Sequence, residues 1–224
     1  MIVAEQKKID EIAESLAPYK RVVIASCGTC VTVCMAGGEK EALKLQGQLK
    51  AERPQLETTV VNCKRQCDHE FIDELYEELQ DGEAILSLAC GVGVQFMSEK
   101  VPDKLVKPGL NTHFYGAAKA LGHWAEYCQG CGNCLLEKTC GVCPVTRCSK
   151  SNFNGPCGGS QGGKCEIDQE NIDCGWQLIY DRAKAFGKVA QLAEISEQRD
   201  WRTSRDGGPR SIKREDVIVE GQDE

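Results

Sequence analysis

Between Tyr127 and Cys174 the chain places nine cysteines among many glycines, with little hydrophobic periodicity. A segment of that kind cannot assemble a core from apolar helix or strand faces, so cross-links or metal centres must organise it. Its spacing is C-x-x-C-x-x-C at Cys128, Cys131 and Cys134, followed by Cys140, Cys143-Pro144, Cys148, Cys157, Cys165 and Cys174. Six more cysteines lie between Cys27 and Cys90, giving 15 in 224 residues. An odd total does not suit a closed disulfide framework. The opening MIVAEQKKIDEIAESLAPYK carries charge in every turn and no apolar h-region, so no secretory signal is expected. A cytoplasmic location is therefore expected, where disulfides are rare and metal or redox roles take their place. Apolar residues make up 41% and charged ones 27%, enough for a folded core. No apolar run approaches the roughly 18 residues of a membrane-spanning helix. The net charge of −7 and pI near 5.2 provide no basic stripe for nucleic acid.

The first part of the chain alternates strands with helices. Residues 4–16 put Ile9, Ile12 and Leu16 on one helical face, and Arg21–Ser26 is a β-branched strand ending at Cys27. A helix bearing Leu43, Leu45 and Leu49 follows Gly38 and closes before Pro54. Leu56–Asn62 reads as a second strand. Asp68 opens a helix with Phe71, Ile72, Leu75 and Leu79 on its buried stripe. Ala84–Ala89 is a third strand, Gly91–Lys100 a helix, and Lys104–Asn111 a fourth strand. This order implies an α/β fold with a small parallel, Rossmann- or flavodoxin-like sheet. The expected divisions are an α/β domain over 1–122, a cysteine-rich domain with a closing helix over 123–195, and a polar arm over 196–224. The closing helix carries Trp176, Ile179, Tyr180, Phe186 and Leu192.

Cys27, Cys67 and Cys90 follow three different strands, and Cys30 and Cys34 lie beside the first. In a parallel sheet such loops share the carboxyl edge, where open α/β sheets bind ligands. One free cysteine is most simply a small core residue, whereas five at one edge favour a metal centre. Cys27-Gly-Thr-Cys30 also fits a dithiol redox pair, but that leaves Cys67 and Cys90 without a role.

In the later segment, three thiolates at two-residue gaps suit three corners of one cubane. The Cys-Pro pair is another piece of the bacterial ferredoxin pattern, although eight residues, not three, separate Cys134 from Cys143. Zinc is the competing metal. His69, His113 and His123 all lie outside the segment, so a zinc site there would be all-cysteine. Glycines let backbone N–H groups approach cluster sulfurs. Two other patterns fail. Gly158-x4-Gly163-Lys164 lacks the final Ser or Thr of a phosphate loop, and Gly91-Val92-Gly93 lacks the third glycine of a dinucleotide turn. Trp124 and Trp176 flank the segment and read first as core packing.

The stretches CGTCVTVCMAGGEKE (27–41), RQCDHEFIDEL (65–75), LSLACGVGVQ (86–95), GLNTHFYG (109–116), EYCQGCGNC (126–134), GVCPVTRCSK (141–150), NGPCGGSQGGKCE (154–166) and CGWQLIYDR (174–182) together resemble one family. It is the cysteine-rich MetV-type small subunit of methylenetetrahydrofolate reductase, a module also known as that reductase's C-terminal domain. The resemblance spans about residues 21–190. It implies a non-catalytic subunit that binds a separate (β/α)8-barrel catalytic subunit. That partner carries FMN and reduces methylene-tetrahydrofolate to methyl-tetrahydrofolate in Wood–Ljungdahl-type one-carbon metabolism of anaerobes. The small subunit would relay electrons to the flavin from a further electron-donating protein through iron–sulfur clusters, with zinc also found in the group. Relatives commonly lack cysteine at the positions of Cys63 and Cys140, so these two are the least favoured as ligands. Cys27, Cys30, Cys34, Cys67 and Cys90 then form one group. Cys128, Cys131, Cys134, Cys143, Cys148, Cys157, Cys165 and Cys174 form two sets of four. Two or three [4Fe-4S] clusters are expected, with zinc as the alternative at the later cysteines. Cys27, Cys30, Cys67 and Cys90 are the first choice at the sheet edge, and Cys34 competes with them. The opposing expectation is a structural zinc-binding adaptor that tethers the reductase without carrying electrons.

Overall fold

A computed structural model describes residues 1–214 and 216. It divides into two compact units, Met1–Glu126 and Tyr127–Glu224.

The first unit contains a four-stranded, all-parallel sheet. Its strands β2 (Arg21–Cys27), β3 (Glu57–Cys63), β4 (Ala84–Ser87) and β5 (Leu105–Pro108) lie in the order β3-β2-β4-β5. β2 is buried from Val22 to Cys27, as a central strand covered on both faces must be. Val22 and Ile24 point to a cluster with Ile12, Leu16, Leu45 and Leu49. Val23 and Ala25 point to the opposite one, with Ile72, Leu79 and Met97. These layers come from α1 (Ile9–Ser15) and α3 (Glu39–Glu52) on one side. On the other are α4 (His69–Asp73), α5 (Tyr76–Gln80) and α6 (Gly91–Lys100). A single turn, α2 (Cys30–Val33), follows β2.

Several expectations from the sequence change. Residues 4–16 are not one helix, because Ile2–Gln6 form strand β1 and only Ile9–Ser15 are helical. β1 pairs antiparallel with β6 (Leu110–Ala120), a strand the sequence did not reveal, and β7 (His123–Cys128) completes that three-stranded sheet. The stretch 104–111 is therefore not one strand. It breaks at Gly109, whose N–H bonds to Ser87 O and whose added Cβ would stand 2.5 Å from Leu88. β5 stays in the parallel sheet while β6 leaves it. The helix expected from Asp68 is split in two at Glu74 and Leu75. Leu43 is 53% exposed, and Ala42 occupies the inward position beside Leu45 and Leu49.

In the second unit, α7 (Pro144–Arg147), the two short strands β8 (Lys164–Cys165) and β9 (Asp168–Asp173), and α8 (Gly175–Ala185) are linked by glycine-rich loops. Trp176 and Ile179 are buried on α8, while Leu192 falls in a separate 3-10 turn, Val189–Ala193. Among the described residues no helix is long and apolar enough to cross a membrane.

Candidate metal centre

The carboxyl edge of the parallel sheet brings three loops side by side. Cys27 ends β2 and is buried, with its N–H bonded to Gly37 O. Cys67 follows β3 and is exposed, and Cys90 caps the N-terminus of α6 after β4. The sheet order places β2 between β3 and β4, so these cysteines belong to adjacent strands. Partial desolvation lifts the Cys67 thiol above its usual value, and the nearby Cys27 and Cys90 thiols push it the same way. Cys27 and Cys90 therefore both lie within electrostatic reach of Cys67. Cys30 opens α2 two residues beyond Gly28 and is partly exposed.

Cys34 faces elsewhere. It is buried, and its thiol donates to Ala4 O at 3.5 Å and Val31 O at 3.6 Å, inside the core shared with β1. Cys63 is also buried, and its thiol donates to Phe71 O at 3.5 Å. Burial pushes that thiol up to about 11, so it remains protonated at neutral pH.

A residue the sequence gave no reason to single out holds the three loops together. Gln66 is fully buried, and its Nε2 donates to the carbonyls of Ala25 and Ser26, both at 2.9 Å. Its Oε1 accepts from Ser87 Oγ at 2.6 Å. The residue next to Cys67 is thereby tied to β2 and to the end of β4. Gly37 makes a second close approach, since a Cβ there would stand 1.9 Å from Leu88 O.

In the second unit the triplet loop carries Cys128, Cys131 and Cys134, all at least partly exposed. The Gly130 N–H donates to Cys128 Sγ at 3.3 Å, and Arg199 Nη2 donates to Cys131 Sγ at 2.8 Å. Gly130 and Gly132 have φ of +62° and +81°, a left-handed backbone that glycine adopts without strain. Cys143 and Cys148 bracket α7, and Cys174 caps α8. Cys165 lies 3.3 Å from Ser149 Oγ. That hydroxyl, with the backbone N–H groups of Ile167 and Asp168, holds its thiol below the ordinary value. Cys157 is exposed. Cys140 has φ of +51°, and its Sγ accepts from Gln191 Nε2 at 3.3 Å.

Among the described residues, no three Cys, His, Asp or Glu side chains already converge on one position suited to a single ion. The donor set still fits iron–sulfur chemistry. It is all thiol, backbone N–H groups point at the sulfurs of Cys128 and Cys165, and the buried Arg199 has Nε and Nη1 without a partner. A buried cation with free donors is a natural neighbour for an anionic thiolate cluster.

The fold and these thiols define a class of cysteine-rich α/β protein, with one cysteine set at a parallel-sheet edge and another in glycine-rich loops. A family model described as methylene-tetrahydrofolate reductase C terminal matches residues 107–202. The matched stretch contains the nine cysteines from Cys128 to Cys174 and supports the resemblance drawn from the motifs. No curated protein and no solved structure matches the chain.

Proposed function

We propose that this chain is the iron–sulfur, electron-transfer subunit of a methylenetetrahydrofolate reductase. It would pass electrons from a further redox protein to the FMN of a (β/α)8-barrel catalytic subunit that reduces methylene-tetrahydrofolate. The observation that carries this is the family match over the whole cysteine-dense segment. When bound, iron–sulfur clusters supply one-electron transfer at potentials set by hydrogen bonds, net charge and exposure.

The chain's own residues do the rest. Cys27, Cys30, Cys67 and Cys90 would hold one cluster at the sheet edge, with Gln66 fixing the spacing of three of their loops. Cys128, Cys131 and Cys134 would hold a second, joined by one later thiolate. The remaining members of Cys143, Cys148, Cys157, Cys165 and Cys174 would hold a third centre, iron–sulfur or zinc. Cys67, Cys128 and Cys134 are exposed, which suits centres that must come close to a partner's cofactor. Cys90 stands at the N-cap of α6, which places its side chain at the carboxyl edge beside the end of β4.

Anaerobic purification followed by iron, sulfide and zinc analysis per chain tests this. Brown protein with labile sulfide, able to reduce the flavin of the catalytic subunit, is the expected result. Colourless protein holding zinc alone would make the chain a structural tether.

A further inference from the structure

Residues 199–210 fold back over the triplet loop instead of extending as a free polar arm. Thr203 Oγ1 donates to Cys131 O at 3.0 Å, and Arg210 Nη1 donates to Gly130 O at 2.6 Å. Gly132 packs so tightly beneath this segment that a Cβ would stand 2.3 Å from Thr203 O. Arg199 lies at the centre and keeps only 7% exposure. Its Nη2 donates to Cys131 Sγ at 2.8 Å and to Asn133 O at 2.6 Å, and its guanidinium lies 4.8 Å from the Trp201 ring centre. Trp201 is held edge-on by Phe153.

No carboxylate answers this charge among the described residues. Asp200, its chain neighbour, is paired with Arg202 at 2.8 Å, while Arg199 Nε and Nη1 are buried without partners. An unpaired guanidinium is costly to bury unless an anion stands beside it. The ionisable group that its guanidinium touches is the thiol of Cys131.

Resting on the metal-bearing reading above, we propose that Arg199 is the counter-cation of the centre held by Cys128, Cys131 and Cys134. It is a positioning residue that donates to a ligand sulfur and raises the centre's reduction potential. A positive charge and a hydrogen bond at sulfur both favour the more negative, reduced state.

The test uses the intact chain purified anaerobically, with redox titration followed by electron paramagnetic resonance. Cys131→Ser identifies the centre by removing its signal and its share of iron and sulfide. If Cys131→Ser leaves iron and sulfide unchanged, the triplet holds no cluster, and the metal-bearing reading fails there together with this proposal. In Arg199→Gln the signal persists and its midpoint shifts to a more negative potential. Arg199→Lys, which keeps the charge, gives a midpoint between that variant and the parent. An unchanged midpoint in a fully loaded Arg199→Gln protein overturns the proposal. Should Arg199→Gln fail to load, parent-level loading in Arg199→Lys supports the electrostatic role, and equal loss in both variants overturns it.

Discussion

Ser87 Oγ donates a 2.6 Å hydrogen bond to Gln66 Oε1, joining the end of β4 to the loop that carries Cys67. With the two carbonyls of β2 that Gln66 also satisfies, this is the point where three strand ends are fixed relative to one another. Replacing Gln66 by Leu keeps similar bulk but takes away the bonds to the Ser87 hydroxyl and the Ser26 carbonyl, while Ala25 O keeps the Leu88 N–H. At roughly 1–3 kcal/mol for each buried group left unsatisfied, Gln66→Leu is expected to lose at least about 2 kcal/mol. Urea unfolding of the variant measures the loss. Iron analysis should show the sheet-edge centre under-filled while the second unit keeps its metal.

Cys27 and Cys34 are both buried, yet they separate by what their sulfurs touch. Cys27→Ser is expected to remove one cluster's share of iron and sulfide. Cys34→Ala is expected to leave metal content at the parent level, because that thiol is turned toward Ala4 O and Val31 O. A cavity cost of about 1 kcal/mol would be its main effect. Equal iron loss in the two variants would sink the assignment of Cys34 to the core.

The strand pattern of the first unit was readable because RVVIAS and AILSLA are short runs rich in apolar and small residues, each followed at once by a cysteine, and sheet topology turns that order into shared position. Gln66 was not readable. Nothing in RQCDHE says which of its polar side chains will be fully buried, since that depends on Ala25, Ser26 and Ser87 arriving from other strands. β1 was hidden because Ile2–Gln6 runs directly into the helical pattern of Ile9–Ser15, and a distant partner, β6, decides its conformation. β6 itself, LNTHFYGAAKA, is largely exposed and lacks the alternation that marks a half-buried strand. Arg199 lay in a charged stretch where solvent exposure is the ordinary outcome, and only the backbone course from Arg199 to Arg210 buries it.

Two glycines should respond in opposite directions to alanine. At Gly37 the new Cβ would stand 1.9 Å from Leu88 O, a backbone atom that cannot turn aside. Gly37→Ala should therefore force the loops after β2 and β4 apart and lower the midpoint of thermal unfolding sharply. Gly47 lies exposed inside α3 with nothing within 4 Å of its Cβ position. Gly47→Ala should add about 0.5–1 kcal/mol through helix propensity. Circular dichroism melts of the pair measure both effects.

Cys63 gives the first unit an alkaline limit. Its folded thiol is pushed up to about 11 from an ordinary 9.0, chiefly by burial. The unfolded chain releases that proton first. Stability is therefore complete below the lower value and declines as pH rises toward the higher one, by about 2–3 kcal/mol in all. In Cys63→Ala the decline across that window should be clearly shallower, as followed by urea unfolding at several pH values. Identical slopes in parent and variant would remove Cys63 as its source.

The antiparallel pairing of β1 with β6 has a consequence during synthesis. The Met1 amino group bonds to Gly116 O, 115 residues further along the chain. At about 5–20 residues per second, the ribosome needs roughly 6–23 s to deliver the second strand after the first. For that interval Ile2–Gln6 is an unpaired strand edge, open to association with other nascent chains. The parallel sheet can gather β2, β3 and β4 in the meantime, so the β1-β6-β7 sheet closes after the cysteine-bearing edge has taken shape.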